Sequence, residues 1–96
     1  MIVSFGDDFT ADLYHGCMSR EIRRFPSKLI RSALRKLDIL NAAHLLIDLR
    51  TPPGNRLELL KGNFSGYHSI RVNDRWRIVF KWDNNNAYEV SLTDYH

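Results

Sequence analysis

One cysteine, Cys17, is all the sulfur chemistry this 96-residue chain has beyond methionine. That excludes an internal disulfide framework and any multi-cysteine metal site. No apolar run approaches the roughly 20 residues that cross a bilayer, so a membrane-spanning helix is not expected. The opening segment, MIVSFGDDFTADLY, is acidic and lacks the pattern of a signal peptide. The expected compartment is therefore the cytoplasm, with no membrane partner. A hydrophobic share of 44% and a charged share of 26% exclude a disordered tail. The length allows one domain, expected over residues 1–96.

Acid is also scarce where base is plentiful. From Arg20 to Lys36 there are seven basic residues and one acid, Glu21. From Arg50 to Lys81 there are seven more, against Glu58 and Asp74. The formal charge of +3 averages these blocks with acidic flanks. Ten of the 14 bases are arginine, whose planar fork of donors suits phosphate. A solvated basic helix with scattered surface charge is one reading, and an anion or nucleic-acid site is the other.

The periodicity changes along the chain. Ile2 to Phe5 reads as a short strand. Asp7 and Asp8 mark a helix start, Phe9 and Leu13 continue it, and His15-Gly16 ends it. After Pro26, with Ser27 as N-cap, Leu29, Ile30, Ala33, Leu34, Leu37 and Leu40 form the apolar stripe of a helix to Asn41. A further helical piece is expected over 42–46. Thr51-Pro52-Pro53-Gly54-Asn55 breaks the helical pattern. Beyond it, Leu57–Leu60, Tyr67–Val72, Trp76–Trp82 and Tyr88–Leu92 alternate as strands, with turns at Asn73-Asp74 and Asp83–Asn86. The fold class is α+β, with N-terminal helices packed on one face of a twisted antiparallel sheet. The opposite face should then show Ser69, Arg71, Arg75 and Arg77, near Arg56 and Lys61. Like charges on paired strands repel, a cost more easily borne where a polyanion binds. His68 falls on the apolar face and reads as a packed core residue. Cys17 reads as a partly buried, unreactive thiol.

The segments Pro52-Pro53-Gly54-Asn55-Arg56-Leu57-Glu58, Leu60-Lys61-Gly62, Gly66–Asn73, Arg75–Phe80 and the terminal Asp94-Tyr95-His96 together resemble the HigB-type toxins of the RelE/ParE superfamily. The resemblance covers nearly the whole chain. It implies a RelE-like, microbial-ribonuclease-like fold. It also implies a ribosome-dependent endoribonuclease that cuts messenger RNA without metal or other cofactor. The implied partners are the ribosome and mRNA, and a HigA-like helix-turn-helix antitoxin. Operator DNA would be met only through the antitoxin complex.

Metal-free RNA cleavage needs a base for the 2′-OH, cations for the phosphorane, and an acid for the leaving 5′-oxygen. His96 is the candidate acid. Its own α-carboxylate, and Asp94 if near, should favour the imidazolium. By carry-over from the family, Arg77 grips the scissile phosphate and Lys61 assists. The structural alternative for Arg77 is an ion pair with Asp94 or Glu58. Asp94 is expected to orient His96 or Lys61, and Tyr95 to stack on a base or donate a hydrogen bond. Arg56, Arg71 and Arg75 are candidate RNA phosphate contacts. Some family members carry histidine three residues before the lysine, where this chain has Glu58. That leaves Glu58 either a weak base or an arginine partner. Alternative readings are a non-enzymatic growth inhibitor, like the gyrase-poisoning members of the superfamily, or an RNA-binding module.

Overall fold

The computed structural model describes residues 1–94. Three helices lead: α1 (Asp8–His15), α2 (Arg20–Arg23) and α3 (Ser27–Ala42). Four strands follow: β1 (Glu58–Leu59), β2 (His68–Arg71), β3 (Trp76–Asp83) and β4 (Asn86–Asp94). They form an antiparallel meander in the order β1-β2-β3-β4.

Local chemistry explains the helix ends. Asp7 Oδ1 accepts the Thr10 N–H at 2.8 Å, and Gly16, in the left-handed region at φ 77°, closes α1. Thr10 is itself buried, and its Oγ1 accepts the Leu92 N–H at 2.9 Å, tying α1 to β4. Ser27 is not the cap of α3. Pro26 occupies that position, where its missing N–H costs nothing, and Ser27 is the first helical residue. Helix α2, absent from the sequence reading, is four residues long and is capped by Ser19 Oγ on the Ile22 N–H. One turn is too short to show a periodicity. The helical piece expected over 42–46 lies later, as a 3-10 turn at Leu46–Arg50. Asp48 Oδ2 accepts the N–H groups of His44 and Leu45 there.

The core lies between α3 and the sheet. Leu29, Ala33, Leu37 and Leu40 of α3 are buried against Ile70, Ile78, Phe80, Val90 and Leu92. Each fully buried leucine contributes about 1.5–3 kcal/mol of apolar transfer. Ala33 has no exposed surface, so its small side chain lets the helix lie close to the strands.

Among the described residues, the expected strand at Ile2–Phe5 is reduced to two isolated parallel bridges, Ile2 to Ala87 and Phe5 to Val90. The interruption matches a bulge in β4. Val79 pairs with Ser91 but Lys81 with Tyr88, and Glu89 has φ 51°. Ser4 Oγ accepts the Glu89 N–H at 2.9 Å. The N-terminal segment thereby covers an edge that would otherwise invite another chain.

His68 packs as expected, its ring stacked on Phe80 with centroids 6.1 Å apart. Among the described residues its buried Nδ1 has no hydrogen-bond partner, and burial lowers its pKa below the ordinary imidazole value. The unfolded chain then binds the proton more readily than the folded one. Stability contributed by the neutral ring is present above about pH 6.5 and is lost as pH falls through and below it. We expect the melting temperature to drop between pH 7.5 and 5.5, and His68→Phe to shrink that drop. An unchanged pH response in the variant would disprove the assignment.

Candidate functional site

Strand alternation puts Ser69, Arg71, Arg77 and Val79 on the sheet face turned away from α3. The register places Arg71 beside Arg77 and Ser69 beside Val79. This face is not simply solvated. Ser69 has no exposed surface and Arg77 is only 9% exposed.

Arg77 is fixed from two sides. Its Nε donates to Ser69 Oγ at 2.7 Å and its Nη2 to the Arg56 carbonyl at 2.6 Å. Glu58 Oε1 lies 3.9 Å from the same Nη2. Of the two ion pairs weighed for Arg77, the structure shows the one with Glu58, at the outer limit of contact. Among the described residues, both of these bonds go to neutral oxygens, which hold the guanidinium plane in place. Arg56 presents its carbonyl because its backbone takes the left-handed conformation, at φ 45°.

The loop that carries Arg56 hangs on Asn55, a residue the sequence marked only as part of a breaker. Asn55 is fully buried. Its Nδ2 donates to the carbonyls of Leu49 and Thr51, at 3.1 and 3.2 Å, and its Oδ1 accepts from Lys36 Nζ. Lys36 is therefore not a solvated lysine on an outer helix face. Burial, then the charges of Arg35 and Arg71, lower its pKa. Asn55→Ala leaves one buried carbonyl, one partly buried carbonyl and a half-buried ammonium short of a partner. We expect a loss of about 2–3 kcal/mol in denaturant unfolding. An unchanged midpoint would show that the loop is held otherwise.

The remaining arginines divide. Arg71 bonds Asp74 across the turn. Arg75 is a correction to the sequence reading, because it does not join Arg71 and Arg77 on the open face. It precedes β3, and its backbone N–H donates to Asn73 Oδ1 within the turn at 2.9 Å, outside the strand alternation. Its guanidinium lies over the Trp76 ring at 5.7 Å and donates from Nε and Nη2 to Asp94 Oδ2 at 2.8 and 2.6 Å. The like charges expected to repel on one face are thus separated or paired. Arg56 and Lys61 have exposed side chains, Lys61 just past β1 where the Leu60 N–H bonds the Tyr67 carbonyl. Glu58 stands opposite Ser69 in the β1–β2 pair and is half-exposed.

Asp94 closes β4, opposite Trp76. The carboxylate expected to orient His96 or Lys61 accepts two bonds from Arg75. Tyr95 and His96 lie outside the described residues. Cys17 is exposed, not partly buried. Among the described residues, no three His, Cys, Asp or Glu side chains cluster as metal ligands, and no helix is long and apolar enough to cross a membrane.

Beyond the sequence candidates, Lys81 and Glu89 pair at 2.9 Å. Lys81 Nζ lies 5.0 Å over the Tyr67 ring, whose hydroxyl donates to Glu89 at 3.3 Å. Glu89 reaches this position through the bulge, for which the sequence carries no clear signal.

Comparison with known proteins adds to this geometry. The family model described as "RelE-like toxin of type II toxin-antitoxin system HigB" matches residues 3–96. The chain is 43% identical over 92 residues to "Toxin HigB-1" of Vibrio cholerae serotype O1, covering 96% of this chain and 95% of that protein. It is 46% identical over 41 residues to "Endoribonuclease HigB" of Proteus vulgaris, covering 43% of this chain and 45% of that protein. The solved YoeB-YefM complex from Staphylococcus aureus contains a chain of similar fold, with a TM-score of 0.62 at 20% identity. That match covers all of this chain and 98% of the other.

Proposed function

The chain belongs to the RelE-like HigB toxins of type II toxin–antitoxin systems, and from that membership we propose that it is an endoribonuclease that arrests translation by cutting mRNA on the ribosome. The observation that carries the chemistry is Arg77, a buried guanidinium held rigid by Ser69 Oγ and the Arg56 carbonyl. A cation fixed before substrate arrives needs no reorganisation as charge builds on the phosphorane.

The roles follow from the requirements of metal-free cleavage. Arg77 stabilises the pentavalent phosphorane, with Lys61 adding charge and Arg56 and Arg71 holding neighbouring phosphates. In this reading the exposed carboxylate of Glu58 takes the 2′-OH proton of RNA that enters beside Arg77. The 2′-oxygen attacks phosphorus, the bond to the 5′-oxygen breaks, and His96 protonates that oxygen. The products are a 2′,3′-cyclic phosphate and a free 5′-hydroxyl. Asp94 and Tyr95 support the acid and the departing strand. The partner that silences the toxin is an antitoxin of the helix-turn-helix kind, through which alone the pair meets operator DNA. The toxin acts in the cytoplasm, where the ribosomes are.

The test is induction of the chain without antitoxin in a bacterial host, followed by mapping of mRNA 5′ ends. New 5′-hydroxyl ends should lie within translated regions, and should vanish from a message whose start codon is removed. Intact transcripts in arrested cells, with a DNA-damage response, would instead indicate gyrase poisoning.

A further inference from the structure

On the face of the sheet opposite Arg77, where the start of α3 meets the β2–β3 turn, lies a cavity of about 580 Å³. Phe25, Leu29 and Trp76 line it, and Arg24, Lys28 and Arg75 surround it with charge. That volume lies within the range of sites that take small organic groups.

Its walls are flat. Phe25 and Trp76 are both half-buried, with ring centroids 5.5 Å apart. The Arg75 guanidinium extends the tier over Trp76, kept in place by its two bonds to Asp94. Asp94 offsets the charge of Arg75 but not that of Arg24 and Lys28, which are exposed and form no ion pair among the described residues. The cavity therefore joins aromatic and guanidinium planes to uncompensated cations. Unpaired RNA bases stack on such planes while their phosphates seek such cations. An acidic peptide would satisfy the cations and leave the planes unused.

We propose that this cavity is a second RNA contact, which stacks an unpaired base against Trp76 and Arg75 and sets the flanking phosphates on Arg24 and Lys28. The proposal rests on RNA being the substrate, and adds a site on the other side of the sheet from the cleavage centre. An RNA strand engaged at both is positioned by the cavity and cut beside Arg77. The two basic blocks of the sequence then serve one ligand, since Arg24 and Lys28 come from the first and Arg75 from the second.

The chain has two tryptophans, Trp76 and Trp82. A Trp82→Phe chain reports on Trp76 alone. It is titrated with a mixed-sequence 2′-O-methyl RNA hexanucleotide, which lacks the nucleophile and cannot be cut. Saturable quenching of Trp76 is expected. Arg24→Ala with Lys28→Ala should raise Kd about tenfold or more. Removing two phosphate contacts should also flatten the slope of log K against log salt by about 1.4. Unchanged Trp76 emission, or affinity untouched by the double substitution, overturns the proposal. So does a hexaglutamate peptide that quenches Trp76 more strongly than the RNA, which would assign the cavity to an acidic protein partner. Cleavage of translated message is measured in parallel. Arg77-dependent cutting without an RNA response at Trp76 removes only the cavity assignment. Absence of all cutting removes the proposed function, and the Trp76 titration still decides the cavity.

Discussion

Arg77→Ala is expected to slow single-turnover cleavage of ribosome-bound mRNA by about 10²–10³-fold, the usual cost of removing one preorganised donor from a developing anion. The guanidinium sits in mid-sheet and is held by Ser69 Oγ and the Arg56 carbonyl. Its loss also leaves those oxygens short of a donor in a buried place, which costs about 1–3 kcal/mol of stability. Arg77→Lys separates the two effects. Lysine keeps the charge but lacks the planar fork, so it should recover part of the melting temperature and little of the rate. Cutting at the original rate by a folded Arg77→Ala chain would show that the sheet face does not hold the scissile phosphate.

His96→Gln is expected to lower the same rate by about 10²–10⁴-fold, the range for general acid catalysis. An acid must be protonated to act, so the fall in rate on the basic side of the pH profile should disappear in the variant. Glu58→Gln provides the contrast. Its carboxylate is half-exposed and 3.9 Å from Arg77, a distance at which an ion pair adds little to stability. We expect an unchanged melting temperature and a rate loss of about tenfold. A full rate in Glu58→Gln would reduce that residue to a companion of Arg77. A full rate in His96→Gln would remove the proton donor from the mechanism.

Helix α3 and the meander were legible because one physical cause acts along each segment. The i, i+3, i+4, i+7 spacing from Leu29 to Leu40 gathers one apolar stripe, and the alternation from Trp76 to Trp82 gathers one apolar face. The shorter pieces were not. Helix α2 and the 3-10 turn at Leu46–Arg50 are made by single caps and turns, for which many residue types suffice. The Ile2–Phe5 segment was half legible. Its apolar run announces pairing, but the bulge at Glu89 that limits the pairing lies 84 residues later.

In the site, alternation predicted the face of Arg77 and misplaced Arg75. The two differ by two residues and by one fact that no local rule contains. Arg77 lies inside β3, whereas Arg75 lies in the turn before it, beside a carboxylate brought from the end of β4. Asn55 is the same lesson in a loop. Asparagine after Pro-Pro-Gly is ordinary turn chemistry, and only the packed structure sets its amide between the Leu49 and Thr51 carbonyls and the Lys36 ammonium.

The sequence by itself determined the helix-then-sheet order, the apolar stripe that joins them, the excess of arginine and the family. These depend on residue type and on short-range spacing, which survive being read one position at a time. Tertiary structure alone decided which cations share a surface. It buried Arg77, drew Arg75 to Asp94, and brought Lys36 close enough to Arg71 to feel its charge. Charge acts through space and across every chain segment within reach, so its partners follow from the packing and not from the order of the residues.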